Sequence, residues 1–129
     1  MSEPKTLLIV DDSRVSRMMI KRFPGGAAEE FRFIEAASGE EALQQVEGAD
    51  IDLMTIDLNM PGMDGLTLAG KLKGQFPDAS ITLLTANIQE ATQRKATEIG
   101  IDFLPKPITA AKNIKFRNVH LGARHAGAE

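Results

Sequence analysis

The chain has 129 residues, of which 43% are hydrophobic, with 18 acidic and 15 basic residues and no cysteine. This length fits one domain that can bury its own core, and the lack of cysteine excludes disulfides and zinc–thiolate sites. The net charge of −3 and the lack of Trp and Tyr argue against a nucleic-acid-binding surface. No signal peptide or membrane span is present in the sequence, so we expect a cytoplasmic domain.

Short apolar runs alternate with amphipathic stretches from the start of the chain. The first run, residues 6–10, is typical of a strand covered on both faces, and it ends at Asp11-Asp12. A helix pattern follows and is broken at residues 24–26; its apolar positions are Val15, Met18, Met19 and Phe23. We interpret its methionines as core filling.

The second strand–helix unit begins at residues 31–35, where apolar and polar residues alternate as they do near a sheet edge. Ser38 followed by Glu41 is a capping box, which predicts the start of a helix. The apolar residues of that helix are Ala42, Leu43 and Val46.

A third strand, residues 51–56, ends at Asp57, and the loop over 59–65 leads into a third helix. We interpret the loop's Pro61, Gly62 and Gly65 as turn makers. The predicted buried positions of the helix are Leu66, Ala69, Leu72 and Phe76. A fourth strand, residues 80–84, ends at Thr85.

The last part of the chain is more polar. A helix predicted over 88–99 has a thin apolar stripe of Ile88, Ala91 and Ile99. A fifth strand is predicted at 101–104, and beyond Ile108 the helical pattern is weak. We therefore expect a single domain over residues 1–121 and a frayed tail over 122–129.

Alternating strands and helices predict an α/β fold with a doubly wound, five-stranded parallel sheet. Ligands of such folds bind outside the carboxyl ends of the strands. At those ends the sequence places Asp11, Asp12, Asp57, Thr85 and Lys106.

This set of side chains indicates phosphoryl chemistry. Two carboxylates about 5 Å apart repel by about 3 kcal/mol at an effective dielectric of about 20, so the acids need a cation. Mg²⁺, held by carboxylate, carbonyl and water oxygens, is the natural one, and Lys106 adds a point charge. An aspartate can accept a phosphoryl group covalently, and Asp57 at the end of the central strand is best placed.

Four segments resemble the receiver domain of two-component response regulators, in order and spacing: Val10-Asp11-Asp12-Ser13, the stretch from Ile56-Asp57 to Asp64-Gly65, Leu84-Thr85-Ala86-Asn87, and Phe103-Leu104-Pro105-Lys106-Pro107. The resemblance covers roughly residues 5–107 and is strongest to stand-alone chemotaxis-type receivers. It implies a flavodoxin-like fold with strand order 2-1-3-4-5.

The resemblance implies that Asp57 accepts a phosphoryl group from a histidine kinase or a phosphotransfer protein. It also implies that Mg²⁺ is bound by the side chains of Asp12 and Asp57, by the backbone carbonyl of Asn59, and by Asp11 through water.

Further roles are implied for residues around the acceptor. Lys106 would pair with the Asp57 carboxylate and later with phosphoryl oxygens, while the Thr85 hydroxyl and the Ala86 N–H would bond a phosphoryl oxygen. Phe103 matches the switch aromatic of the family, which turns inward as Thr85 moves.

The implied function is a phosphorylation-controlled signalling switch rather than a turnover enzyme. Its partner-binding face would comprise the 88–99 helix, strand 101–104 and the C-terminal segment, in a monomer or a weak phospho-dependent dimer. No nucleic acid or membrane is implied as a partner. Asn59 and Asn87 match positions that influence phosphoaspartate hydrolysis, although Asn87 is more simply interpreted as a helix N-cap.

Two alternatives remain from the residues themselves. A haloacid-dehalogenase-like phosphatase also uses Mg²⁺ and an aspartyl nucleophile, but it has a second acid where Asn59 stands, and its nucleophile follows the first strand. An FMN-binding flavodoxin-like protein needs a Ser/Thr-rich phosphate loop after the first strand, where Asp11-Asp12 would repel a phosphate. A pseudo-receiver would lack site positions that are present here.

Overall fold

Strands and helices alternate in the part of the chain that the structure, a computed structural model, describes: residues 5–22, 31–86 and 89–106. The elements are β1 (Lys5–Val10), α1 (Arg14–Arg22), β2 (Phe31–Ala36), α2 (Gly39–Gln45), β3 (Leu53–Asp57), α3 (Gly65–Gln75), β4 (Ser80–Thr85), α4 (Glu90–Glu98) and β5 (Asp102–Pro105). This order confirms the predicted alternation. The predictions for Phe23, for Asn87 and Ile88, and for the segment from Ile108 onward lie outside the described residues.

The five strands form one parallel sheet in the order β2-β1-β3-β4-β5, which confirms the predicted fold. In this register Val10 lies beside Ile56, and Asp57 lies beside Leu84. The carboxyl ends of the strands therefore meet at one edge of the sheet. β2 is an edge strand, as its alternating sequence predicted.

Successive residues of the central strands alternate between the two faces of the sheet. Leu8 and Met54 belong to the larger core cluster, which includes residues of α2, α3 and α4. Leu7 and Leu53 belong to the opposite cluster, where Ile20 of α1 packs. Burial on both faces explains why these strands are apolar throughout.

Side-chain caps begin α2 and α3. Ser38 Oγ accepts a hydrogen bond from Glu41 N at 3.1 Å, which confirms Ser38 as the N-cap, while Glu41 Oε1 accepts from Ala37 N at 3.1 Å, one residue before the N-cap whose N–H completes a standard capping box. Asp64 caps α3 by accepting from Thr67 N at 2.8 Å. Asp64 thus directs the chain from the β3–α3 loop into α3.

The apolar stripe predicted for the first helix faces solvent. Val15, Met18 and Met19 are 65%, 44% and 37% exposed, so the interpretation of these methionines as core filling is wrong. They share one side of α1, at positions i, i+3 and i+4, whereas Ile20 and Arg17 lie on the other side and are largely buried. Arg17 has polar partners on β2 and in the β1–α1 loop, and these partners turn its side of the helix toward the sheet.

The predicted core-facing positions of α3 are confirmed, because Ala69 and Leu72 are fully buried and Leu66 and Phe76 pack against the larger core cluster. Leu68, which was not predicted, is also fully buried, and Phe76 is the C-cap of the helix.

The helix α4 is thinly anchored. Among its described residues Ala96 is buried, while Ala91 is exposed and Ile99, the C-cap, is 40% exposed. Its N-cap is Gln89, which makes no side-chain capping hydrogen bond. The described helices are all too short or too polar to cross a membrane.

Candidate functional site

The residues predicted to converge at the carboxyl edge of the sheet do so. Asp57 is the last residue of β3 and Thr85 the last of β4, while Asp11 follows β1 and Lys106 follows β5. Lys106 Nζ lies 2.9 Å from Asp11 Oδ2 although 95 positions separate them in the chain. The topology of the sheet thus assembles the site.

Three carboxylates form its centre. Asp11, Asp12 and Asp57 each offer an oxygen, and these oxygens lie within 4.8 Å of one another. Asp11 is fully buried and Asp57 is 6% exposed, whereas Asp12 is open to solvent. At these separations the repulsion is about 3 kcal/mol per pair at an effective dielectric of about 20, so the cluster requires cations.

Lys106 supplies one cation. Its Nζ lies 2.9 Å from Asp11 Oδ2 and 3.3 Å from Asp57 Oδ1. Burial by itself would lower the pKa of Lys106, but the hydrogen bond and charge of Asp11, together with those of Asp57, outweigh it and raise that pKa. The lysine is therefore charged at neutral pH. It bridges two acids, with the shorter contact to Asp11 rather than to Asp57.

The Asp57 carboxylate is not fully neutralised by this lysine. Burial and the repulsion of Asp11 raise the pKa of Asp57 more than the charge of Lys106 and the N–H of Asn59, 3.4 Å from Asp57 Oδ1, lower it. In the absence of metal, the ionised Asp57 side chain is thus costly to the folded state.

At pH 7 in EDTA, we expect Asp57→Asn to melt at a temperature about 3–6 °C above the wild-type chain. A raised pKa means that the folded chain holds this proton more tightly than the unfolded chain, so stability falls as the pH rises through the folded-state pKa. The amide avoids this loss. Circular-dichroism melts should show the gap shrinking as the pH falls toward about 4, the ordinary pKa of aspartate. A wild-type chain that is the more stable one at pH 7 would contradict this expectation.

The two adjacent acids have different surroundings. Asp11 Oδ1 accepts from Ser13 N at 2.9 Å, and its other oxygen is held by Lys106. Asp12 is exposed, and it does not cap α1, because Ser13 Oγ accepts from Ser16 N at 3.2 Å in that role. Asp12 is therefore the acid of the pair that is open to an incoming ion.

The remaining predicted residues surround the acids. Thr85 is fully buried, and its carbonyl accepts from Lys106 N at 2.9 Å, while Ala86 and Asn59 are exposed beside it and in the β3–α3 loop. Phe103 is half-buried in β5 and packs against the larger core cluster. Thr85 and Lys106 are thus in contact, whereas Phe103 pairs with Leu83, two residues before Thr85 along β4.

Gly65 has a role that sequence reasoning missed. A Cβ at this position would lie 2.3 Å from the Asp57 carbonyl oxygen and 2.7 Å from Leu58 Cα. Gly65 N also donates to the Leu58 carbonyl at 3.0 Å. The interpretation of Gly65 as a turn maker is therefore too weak, whereas Gly62, with φ of 80°, fits it.

The chain belongs to the family described as the response regulator receiver domain, which residues 7–116 match. It is thus a receiver domain of two-component signalling, as the four sequence segments implied.

Two curated relatives from Escherichia coli K12 agree with this assignment. The nitrate/nitrite response regulator protein NarL is 33% identical over 100 residues, which cover 78% of this chain and 46% of NarL. The aerobic respiration control protein ArcA is 34% identical over 123 residues, which cover 90% of this chain and 50% of ArcA. The chain thus spans about half the length of these relatives.

Solved structures share the fold along nearly their whole length. The chemotaxis protein CheY4 of Vibrio cholerae has a TM-score of 0.81 at 26% identity, covering 91% of this chain and 98% of that one. The CheX–CheY–BeF₃–Mg²⁺ complex from Borrelia burgdorferi has a TM-score of 0.79 at 30% identity, covering 91% and 90%. The second of these is a complex of a protein of this fold with BeF₃ and Mg²⁺.

Proposed function

We propose that this receiver takes a phosphoryl group onto Asp57 from a phosphohistidine of a histidine kinase or a phosphotransfer protein. An Asp57 carboxylate oxygen forms the bond to phosphorus, the P–N bond to the donor histidine breaks, and the imidazole nitrogen keeps the electron pair. The observation that carries the proposal is the position of Asp57, a largely buried carboxylate 3.3 Å from the Lys106 ammonium and beside two further acids.

The acid cluster fits a Mg²⁺ site. The side chains of Asp12 and Asp57 and the backbone carbonyl of Asn59 would hold the ion, and Asp12 is open to solvent for its entry. Both oxygens of Asp11 already have donors, which supports an indirect contact of Asp11 through water. When bound, Mg²⁺ neutralises charge on the phosphoryl oxygens.

The other polar groups at the strand ends suit the phosphoryl oxygens. Lys106 can replace its contact with Asp57 Oδ1 by a contact with a phosphoryl oxygen while its ion pair with Asp11 remains in place. The Thr85 hydroxyl and the Ala86 N–H, at the end of the neighbouring strand, would bond another. Such prearranged donors stabilise the charge of the transferred group without reorganisation.

We also propose that phosphorylation changes a partner-binding face formed by α4, β5 and the C-terminal segment. Thr85 lies at the end of β4 next to β5, where Phe103 is only half-buried. α4 buries Ala96 among its described residues, and a groove of about 360 Å³, lined by Asn59 and Thr92 among others, separates it from the β3–α3 loop. A helix with so few anchors can shift at low cost.

On this proposal the protein is a signalling switch in the cytoplasm and not a turnover enzyme, since the phosphoryl group stays on Asp57 until it is hydrolysed. A monomer or a weak phospho-dependent dimer suits this role. A phosphatase of the haloacid-dehalogenase type would need a second acid at position 59, where this chain has Asn59. A flavodoxin-like protein would bind the FMN phosphate after β1, where this chain has the carboxylates of Asp11 and Asp12.

Phosphoryl uptake can be measured directly by intact-mass spectrometry after incubation with Mg²⁺ and phosphoramidate or acetyl phosphate. We expect one phosphoryl group on the wild-type chain, none on Asp57→Asn, and one on Asp50→Asn, which removes an exposed carboxylate away from the site. EDTA should prevent uptake in the wild-type chain and in Asp50→Asn. An adduct that survives Asp57→Asn, or a wild-type chain that gains none, would overturn the proposal.

A further inference from the structure

We propose that Arg17 is a positioning residue for the metal site, because it holds the backbone of the acid pair in place; this inference rests on the proposed Mg²⁺ function. Arg17 Nη1 donates to the backbone carbonyl of Asp11 at 2.6 Å. The contact is to the peptide group that joins Asp11 to Asp12, so it acts on the direction in which both carboxylates point.

The same guanidinium is anchored on the sheet. Arg17 Nε donates to Glu35 Oε1 at 3.0 Å, and Lys21 Nζ, one turn further along α1, donates to Glu35 Oε2 at 2.7 Å. Glu35 lies on β2 next to Ala36, whose carbonyl accepts from Asp11 N at 3.0 Å. Asp11 is therefore held on its N–H by β2 and on its carbonyl by Arg17.

Lys21 as well as Arg17 neutralises the Glu35 carboxylate, so Arg17 can also donate a hydrogen bond to the Asp11 carbonyl. The hydrogen bond from Lys21 lowers the pKa of Glu35, burial opposes it, and Arg17 lowers it further, so the carboxylate is ionised at neutral pH. Lys21 and Arg17 together exceed the charge of Glu35 by one. The planar fork of arginine donates to Glu35 from Nε and to the Asp11 carbonyl from Nη1, two donors whose relative geometry is fixed, whereas an ammonium is a single point charge on a flexible stem.

The orientation of α1 supports this assignment. The side chain of Arg17 is 15% exposed, whereas Val15, Met18 and Met19 on the opposite side of the helix are open to solvent. A helix turned by the hydrophobic effect alone would bury those three residues. α1 instead presents an arginine to the sheet, where it reaches the backbone of the metal site.

Charge and geometry predict opposite effects when Arg17 is removed. Loss of a positive charge near the acids would tighten Mg²⁺ binding, because the dication meets less repulsion. Loss of the hold on the Asp11–Asp12 peptide would weaken it, because the ligands are no longer preorganised. The sign of the change in Mg²⁺ affinity therefore separates the two roles.

The experiment is isothermal titration of the full chain with MgCl₂, at a temperature where circular dichroism shows every variant folded. We expect Arg17→Met to raise the Kd about 3–10-fold, within the range for residues that orient metal ligands. Lys21→Met is the matched control: it removes the same charge from the same network but leaves the Asp11 contact, so its Kd should stay equal or fall. Arg17→Lys keeps the charge and loses the fork, and it should weaken binding about 2–5-fold.

Melting in EDTA supplies the second measurement. Arg17→Met and Lys21→Met each lose a contact to Glu35, so both should lower the melting temperature, while the loss of Mg²⁺ affinity is confined to the Arg17 variants. Wild-type affinity in Arg17→Met with a lowered melting temperature would mean a purely structural arginine and would overturn this inference alone. If Arg17→Met does not fold, Arg17→Lys decides by the same criterion. A wild-type chain that binds no Mg²⁺ overturns the proposed function and this inference together.

Discussion

Replacing Lys106 with methionine is expected to slow phosphoryl uptake from phosphoramidate about 100-fold, the usual loss when one preorganised charged donor is removed from a reacting group. In EDTA the same variant should lose about 2 kcal/mol of unfolding free energy, since two buried carboxylates lose their shared cation. Both effects follow from one ammonium that lies 2.9 Å from Asp11 and 3.3 Å from Asp57.

Mg²⁺ should reverse the stability loss of Lys106→Met but not its slow uptake. Without the ammonium the ion meets a more negative site, so its affinity should rise several-fold and its stabilising effect should exceed that on the wild-type chain. Lys71→Met, at an exposed position on α3, is the charge-matched control and should change neither quantity. Uptake at the wild-type rate in Lys106→Met would refute the assigned role of the lysine.

The positions of the site residues could be predicted from the sequence because a parallel sheet gathers its strand ends at one edge. The first, third and fourth apolar runs are each followed by a polar residue, and the run alone indicates which residue comes at its end, for example Asp57 after 51–56 and Thr85 after 80–84. To place these residues next to one another, the order of the strands was also needed, and the resemblance to receiver domains implied that order. The observed sheet confirms the strand order, and its register places Asp57 and Thr85 at the carboxyl ends of neighbouring strands.

Contacts within the site could not be predicted in the same way. The sequence places Lys106 near both Asp11 and Asp57, but which acid lies closer depends on the geometry of the loop after β1. In that loop Asp11 also accepts a hydrogen bond from Ser13 N. Likewise the buried side of α1 depends on Arg17 finding Glu35, which is 18 positions away. Hydrophobic periodicity considers only apolar side chains and ignores a polar partner such as Glu35. It therefore predicted that the wrong side of the helix is buried.

Gly65 was missed for a related reason. In the sequence, Asp64-Gly65 after a proline-containing loop is the ordinary signature of a turn that leads into a helix. How closely a helix approaches a neighbouring backbone cannot be inferred from such a pattern. The structure places Gly65 against the carbonyl of Asp57 itself. This glycine therefore connects the packing of α3 with the position of Asp57.

Gly65→Ala is accordingly expected to lower the free energy of unfolding by about 3 kcal/mol, at the upper end of the usual cost of overpacking. The added Cβ would lie 2.3 Å from the Asp57 carbonyl oxygen and 2.7 Å from Leu58 Cα, and neither is a flexible side-chain end that could yield. Either α3 or the end of β3 must move. Since a displacement of about 1 Å at a reacting group can cost 100-fold in rate, uptake at Asp57 should fall at least about 10-fold in the molecules that remain folded.

Gly70→Ala provides the control within the same helix. A Cβ at Gly70 meets nothing within 4 Å, so alanine should raise the free energy of unfolding by about 0.5–1 kcal/mol through its higher helix propensity and leave uptake unchanged. The two substitutions are chemically identical, and Gly65 does not have a positive φ that alanine would strain. A difference of about 4 kcal/mol between them in urea unfolding therefore measures the close approach of α3 to Asp57, and equal stability of the two variants would show that this approach relaxes at no cost.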